Sequence, residues 1–150
     1  MSEIHLKSID KENYEEAIRL TENDHQYVSV VHGLAYAYIK PWDEAFDPYV
    51  VMKNNTMIGF VYVSYTPHSR DNYWIGGLYI TQEYRHQGYG KQTINLMIET
   101  ICKKNPECHM VRLTVEPENI YAKSLYEHMG FITDDDRNIY GEIRYYLSLK

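Results

Sequence analysis

The residues best placed to do chemistry are consecutive: Arg85-His86-Gln87-Gly88-Tyr89-Gly90-Lys91. Two glycines at this spacing let successive backbone N–H groups turn toward one point, and a helix opening there adds the positive end of its dipole. Arg85 and Lys91 flank that point with charge. The combination describes a seat for a pyrophosphate. The better-known nucleotide loops do not fit. A Walker A loop needs Gly-Lys-Ser/Thr, and Gln92 follows Lys91; a dinucleotide fingerprint needs a third glycine where Thr93 stands.

The elements that must position this loop follow from periodicity. The apolar run 74–80 reads as a buried strand, and Ile94, Met97, Ile98 and Ile101 recur at helical spacing up to about residue 104. Before them come a strand at 3–9 and a helix capped by Asp10, with Tyr14, Ala17, Ile18 and Leu20 inward. A second helix is expected from about 26 to 39, ending before Pro41. The segment 41–48 is bounded by prolines and reads as irregular, and strands at 49–52 and 58–65 join in a hairpin around Lys53-Asn54-Asn55-Thr56. After Asn105-Pro106 come a strand at 110–115 and a helix at 119–128, closed by Gly130 as the residue beyond its C-cap. Two short strands, Phe131-Ile132 and 139–149, flank an Asp134-Asp135-Asp136 loop. This β-α-α-β-β-β-α-β-α-β-β order predicts one mixed α/β sheet with helices on both faces. Gly76-Gly77 inside a strand costs stability and implies a bulge or a close backbone approach.

Composition bounds the function. A chain of 150 residues, 44% apolar and 24% charged, is an ordinary globular domain spanning 1–150. No apolar stretch is long enough for a membrane span and the first residues carry no basic leader, so a cytoplasmic setting without membrane association is expected. Cys102 and Cys108 match neither a disulfide framework nor a zinc pattern, and the seven histidines form no ligand pair, so no metal is expected. A net charge of −6 argues against nucleic acid and for a cationic small molecule.

A second constellation begins where the strand at 110–115 ends: Asn119, then Ala122, then Leu125-Tyr126, then Gly130-Phe131. With the loop read as Arg85-x-x-Gly88-x-Gly90 or shifted to start at Gln87, and one helix and one strand between the two motifs, the chain resembles the GNAT acetyltransferase superfamily over nearly its whole length. Among its branches it is most similar to the bacterial spermine/spermidine (diamine) N-acetyltransferases. That narrower likeness rests on the aromatic-rich 27–38 segment followed by a proline, on Gly59-Phe60-Val61 and on Tyr73-Trp74-Ile75.

The resemblance implies the GNAT fold, a twisted mixed sheet of about seven strands with about four helices. It implies acetyl-CoA as co-substrate, with Leu78, Tyr79 and Ile80 offering backbone groups to the pantetheine arm. Arg85, Gln87, Gly88, Tyr89, Gly90 and Lys91 would hold the pyrophosphate, and Asn119 would bond the pantetheine or cap its helix. Tyr126 would protonate the departing thiolate. The family's strand acid falls here on Gly76 or Gly77, so Glu116 or a water chain is left as base. The acceptor implied is a small polyamine, with Asp43, Glu44 and Asp47 as ammonium partners or simply a solvated acidic loop. Another amine, such as a peptide N-terminus or an aminoglycoside, and a non-catalytic acyl-CoA-binding module are the alternatives. By analogy with related enzymes a homodimer is expected.

Overall fold

The computed structural model describes residues 3–22, 24, 30–39 and 44–149, with backbone alone at 36, 37 and 39. Strand β1 (Ile4–Ser8) leads to helices α1 (Tyr14–Leu20) and α2 (Val30–Ile39), then strands β2 (Ala45–Lys53), β3 (Thr56–Tyr65) and β4 (Tyr73–Ile80). Helix α3 (Tyr89–Lys104), strand β5 (Met110–Val115), helix α4 (Ile120–His128) and strands β6 (Ile132–Arg137) and β7 (Ile143–Ser148) complete the chain. The strands form one seven-stranded sheet in the order β1-β2-β3-β4-β5-β7-β6. Among the described residues only the β4–β5 pair is parallel. The expected mixed α/β architecture and element order are therefore both present.

Alternation along the strands divides the interior in two. Tyr49, Val51, Ile58 and Val63 face Ile94, Met97 and Ile101 of α3 and Tyr126 of α4. Val50, Phe60 and Tyr79 face the other way and pack with Ala17 of α1 and Val30 of α2. The β2–β3 hairpin turns at Asn54-Asn55 between the paired residues Lys53 and Thr56, with Asn54 at φ +54°. No helix among the described residues is long and apolar enough to cross a membrane.

Three local expectations need correction. Helix α1 starts at Tyr14 behind Asn13, and Asp10 instead caps the preceding turn. Its Oδ1 accepts from Glu12 N–H at 2.8 Å and Asn13 N–H at 3.0 Å, while Asn13 Oδ1 accepts from Asp10 N–H at 2.9 Å. Tyr14, opening the helix, is 41% exposed rather than inward. Second, β2 already runs from Ala45, through Pro48. The Pro48 carbonyl accepts from Ile9 N–H just beyond the end of β1, so the missing proline N–H also points past that strand and breaks no ladder bond. Third, Asp134, Asp135 and Asp136 lie within β6, an edge strand where exposed charge is tolerated. Asp135 at φ +63° and a register shift between Thr133 and Arg137 make that strand irregular. The expected start of the second helix, 26–29, and residues 41–43 lie outside the described residues.

Candidate active site

Strands β4 and β5 meet in register at a single pair, Trp74 and Arg112, and then diverge. The divergence coincides with Gly77. Phe60 pairs with Tyr79 and Tyr62 with Gly76, so Val61 alone opposes Gly77 and Leu78. Gly77 adopts φ +63°, which strains any side chain, and a Cβ there would stand 2.7 Å from the Tyr62 ring. At Gly76 a Cβ would stand 2.5 Å from the Tyr62 hydroxyl. Bulge and close approach, the two readings of the glycine pair, both hold. The crowding side chain belongs to the neighbouring strand.

The opened seam is a cleft of about 270 Å3 between β4, the glycine loop and α4, bordered by Leu78, Tyr79, Ile80, Arg85, Gly90, Asn119 and Tyr126. The Thr81 N–H donates to Ile58 O at 2.8 Å, so strand alternation turns the polar groups of Tyr79 toward β3 and those of Leu78 and Ile80 toward the cleft. At the loop, His86 and Gly88 take φ +64° and +89°. The first regular bond of α3 runs from Gln92 N–H to Gly88 O, which leaves the amides of Tyr89, Gly90 and Lys91 ahead of it without intrahelical acceptors. The Tyr89 side chain points away into the core, where its hydroxyl donates to Glu3 Oε2 at 2.8 Å. Gln87 Nε2 donates back to Glu83 O at 3.0 Å, and the Lys91 side chain is exposed.

Arg85 is not a simple solvated charge. Its Nη2 pairs with Asp24, its Nε donates to Ile80 O at 2.8 Å and its guanidinium stacks 5.2 Å from the Tyr79 ring centre. Tyr79 donates its hydroxyl to the same Asp24 carboxylate at 3.1 Å. Asp24, a cleft residue that sequence reasoning missed, lies 61 positions from Arg85, a separation no local pattern reports. Asn119 caps α4, its Oδ1 accepting from Ala122 N–H at 3.2 Å, while also bordering the cleft.

The Leu-Tyr…Gly-Phe signature has a mechanical reading. Helix α4 ends in a Schellman turn: Phe131 N–H donates to Tyr126 O at 3.0 Å and Gly130, at φ +97°, donates to Glu127 O at 3.1 Å. The Phe131 ring then packs 5.7 Å from the Tyr126 ring. This pins Tyr126, 7% exposed, against the cleft. Burial, with a smaller push from Tyr121, raises its phenol pKa well above the ordinary value, so the proton stays on at neutral pH.

A second cavity of about 390 Å3 borders the same strand on the other side of the bulge, at Trp74, Ile75 and Gly76. Its polar lining includes Glu44, Ser64, Thr114, Asn138 and Glu142, and Tyr62 and Tyr140 add aromatic surface. Ser64 Oγ donates to Glu44 Oε2 at 2.6 Å. Asp47 is not part of it: it accepts from the Tyr65 hydroxyl at 2.7 Å and lies 3.6 Å from Lys104 Nζ. Asp43 lies outside the described residues.

Glu116 lines neither cavity but continues the strand face of Thr114. Val115 pairs with Ile143, and the same register one step further sets Glu116 opposite Glu142. Like charges so placed are destabilising. Desolvation, then Glu142 and Glu118, raise the Glu116 pKa above the ordinary carboxylate value. Sequence reasoning missed Glu142 because it ran a strand through 139–149; the Asn138 to Gly141 turn was the available signal. Cys102 and Cys108 are not joined in a disulfide and border neither cavity. Among the described residues no group of three or more His, Cys, Asp or Glu could hold a metal ion.

The splayed seam, the glycine loop and the α4 signature define a family. Residues 12–131 match the Acetyltransferase (GNAT) family, and the chain belongs to it. N-alpha-acetyltransferase 30 of Saccharomyces cerevisiae is 30% identical over 102 residues, 63% of this chain and 56% of that protein. The chain thus spans little more than half the length of that relative. Spermidine N-acetyltransferase from Vibrio cholerae, solved in complex with CoA and spermine, superposes with a TM-score of 0.74 at 20% identity, over 99% of this chain and 97% of that one. A chain of the NatC complex bound to Gag peptide and CoA gives 0.72 at 23% identity, over 99% and 100%. At these identities the likeness to solved structures is one of fold.

Proposed function

We propose that this protein is an acetyl-CoA-dependent N-acetyltransferase of the cytoplasm that acetylates a primary amine of a small diamine or polyamine. One observation carries the reading: consecutive residues of β4 border two cavities, 74–76 the acidic pocket and 78–80 the cleft, with the Gly77 bulge at the junction. A thioester lying along the cleft and an amine entering from the pocket meet at that bulge. Backbone groups of Leu78 and Ile80 hold the pantetheine arm, the amides of 87–91 with Lys91 hold the pyrophosphate, and Arg85 braces the loop through Asp24.

Chemistry then needs two proton movements. The amine lone pair attacks the thioester carbon, the C–S bond breaks, and Tyr126 donates its proton to the departing thiolate. The amine proton leaves toward Glu116 through water, and the raised pKa of that carboxylate makes it a stronger base than an unperturbed one. No acyl-enzyme is required, since neither cysteine borders the site. The polyamine assignment is supported by two pocket carboxylates, Glu44 and Glu142, set among aromatic rings, and by the spermine held by the Vibrio cholerae structural relative.

A peptide N-terminus is the second reading, favoured by the sequence relationship to N-alpha-acetyltransferase 30. The test is CoA thiol release with spermidine, spermine, putrescine, lysine, an aminoglycoside and a Met-initiated peptide. The reading expects preference for the polyamines. A preference for the peptide overturns the acceptor assignment, and acetyl-CoA binding without turnover on any amine overturns the activity.

A further inference from the structure

The turn joining β6 to β7 is organised by one side chain. Asn138 Oδ1 accepts from the N–H of Tyr140 at 2.9 Å and of Glu142 at 3.0 Å. Its Nδ2 donates to Glu142 Oε1 at 2.8 Å. Backbone bonds from Asn138 N–H to Glu142 O and from Gly141 N–H to Asn138 O, both 3.0 Å, close the unit, with Gly141 at φ +80°. A turn of this kind needs only the Oδ1 acceptor. The Nδ2 bond does something further: it fixes the carboxylate of a glutamate that borders the acidic pocket.

Glu142 is half-buried, and the β5–β7 register carried one step beyond Val115 and Ile143 sets a second carboxylate, Glu116, opposite it, the two charges being close enough to interact. Among the described residues no protein cation pairs with it. A held, partly desolvated carboxylate beside another negative charge is stabilised by a cation supplied from outside. Tyr140, 73% exposed, places this end of the pocket at its rim, whereas Gly76 lies beside the bulge where the reacting nitrogen belongs.

We propose that Asn138 is a positioning residue for acceptor selectivity: it holds the Glu142 carboxylate at the pocket rim, where Glu142 takes the second, non-reacting ammonium of a diamine. This rests on the reading of the pocket as the acceptor site. Matched acceptors isolate the effect, because 1,4-diaminobutane carries the second ammonium and 1-aminobutane does not.

Asn138→Ser keeps a side-chain acceptor for the turn but is too short to reach Glu142, and Glu142→Gln keeps the bond from Asn138 while removing the charge. Each is expected to raise the KM for 1,4-diaminobutane on the order of tenfold, the size of one charge-assisted hydrogen bond. In Asn138→Ser the KM values for 1-aminobutane and acetyl-CoA, and kcat, stay at wild-type levels. In the Glu142→Gln background Asn138→Ser adds nothing, because the charge it positions is gone. Calorimetric titration of 1,4-diaminobutane onto the CoA-saturated protein reads the same weakening without turnover, so loss of the proposed activity and loss of this role are distinguishable. An unchanged diamine-to-monoamine ratio in Asn138→Ser overturns the proposal. So does an Asn138→Ser effect undiminished in Glu142→Gln, or the absence of calorimetric diamine binding to the wild-type protein.

Discussion

The cleft and the acidic pocket lie on either side of one glycine bulge, yet they are built from different materials. The cleft is mostly main chain and short-range motif: the open edge of β4, a helix N-terminus behind Gly88, and a helix pinned by its own Schellman turn. The pocket is mostly side chain, drawn from β3, β4, β5, the start of β2 and the β6–β7 turn. A site of backbone groups tolerates sequence drift and keeps one ligand. A site of convergent side chains changes its ligand with a few substitutions. On the proposed reading the donor half is set by the fold, and the acceptor half by residues the fold leaves adjustable.

The largest expected effect separates chemistry from binding. Tyr126→Phe keeps the ring contact with Phe131 and the Schellman turn, so acetyl-CoA affinity and unfolding temperature stay near wild type. Turnover falls on the order of a hundredfold or more, the usual weight of a general acid. Unchanged kcat removes Tyr126 from the reaction.

Next comes the bulge that joins the two sites. Gly77→Ala puts a side chain at φ +63° against the Tyr62 ring and is expected to destabilise the fold by ~1–3 kcal/mol. Denaturant unfolding measures this. Gly88→Ala serves as the control, because its φ is also positive but a Cβ there meets nothing within 4 Å; equal losses in the two variants contradict the crowding by Tyr62.

The pH dependence sharpens the acceptor side. As the proposed base, Glu116 must be ionised to accept a proton, and its pKa is raised, so the acidic limb of kcat/KM is expected at higher pH than an unperturbed carboxylate gives. Glu142→Gln removes one of the causes and moves that limb to lower pH. A limb that stays in place in Glu142→Gln, or survives in Glu116→Gln, assigns the base elsewhere. The smallest effect concerns the donor side. Asn119→Ala loses the helix cap and about 1 kcal/mol of stability, whereas Asn119→Ser keeps the cap. Weaker acetyl-CoA binding in Asn119→Ser by calorimetry assigns Asn119 a pantetheine contact; unchanged binding leaves it a cap alone.

Much of this contrast was legible in the sequence. The glycine loop is local, so turn chemistry locates it and periodicity the strand before it, while the Asn119–Tyr126–Gly130 constellation is legible through its resemblance to the family's second signature. The element order follows in the same way. Where reading failed, non-local pairing or position in the sheet decided: Pro48 is accommodated because β1 has ended beside it, and Asp134, Asp135 and Asp136 because β6 is an edge. Glu142 and Asp24 enter their cavities through contacts distant in sequence, which leave no periodic trace. Of the acidic residues expected to meet the acceptor, Glu44 reaches the pocket while Asp47 is engaged by Tyr65 and Lys104. The spacing of charges along 43–47 cannot distinguish these two outcomes.

The most direct test of the central claim is a crystal structure of the ternary complex with CoA and 1,4-diaminobutane. The CoA thiol is expected at the cleft end beside Tyr126 and one amine nitrogen reaching it from the pocket at Gly77, with the second nitrogen against Glu142. CoA outside the β4–β5 seam, or a diamine bound away from the pocket, would contradict it.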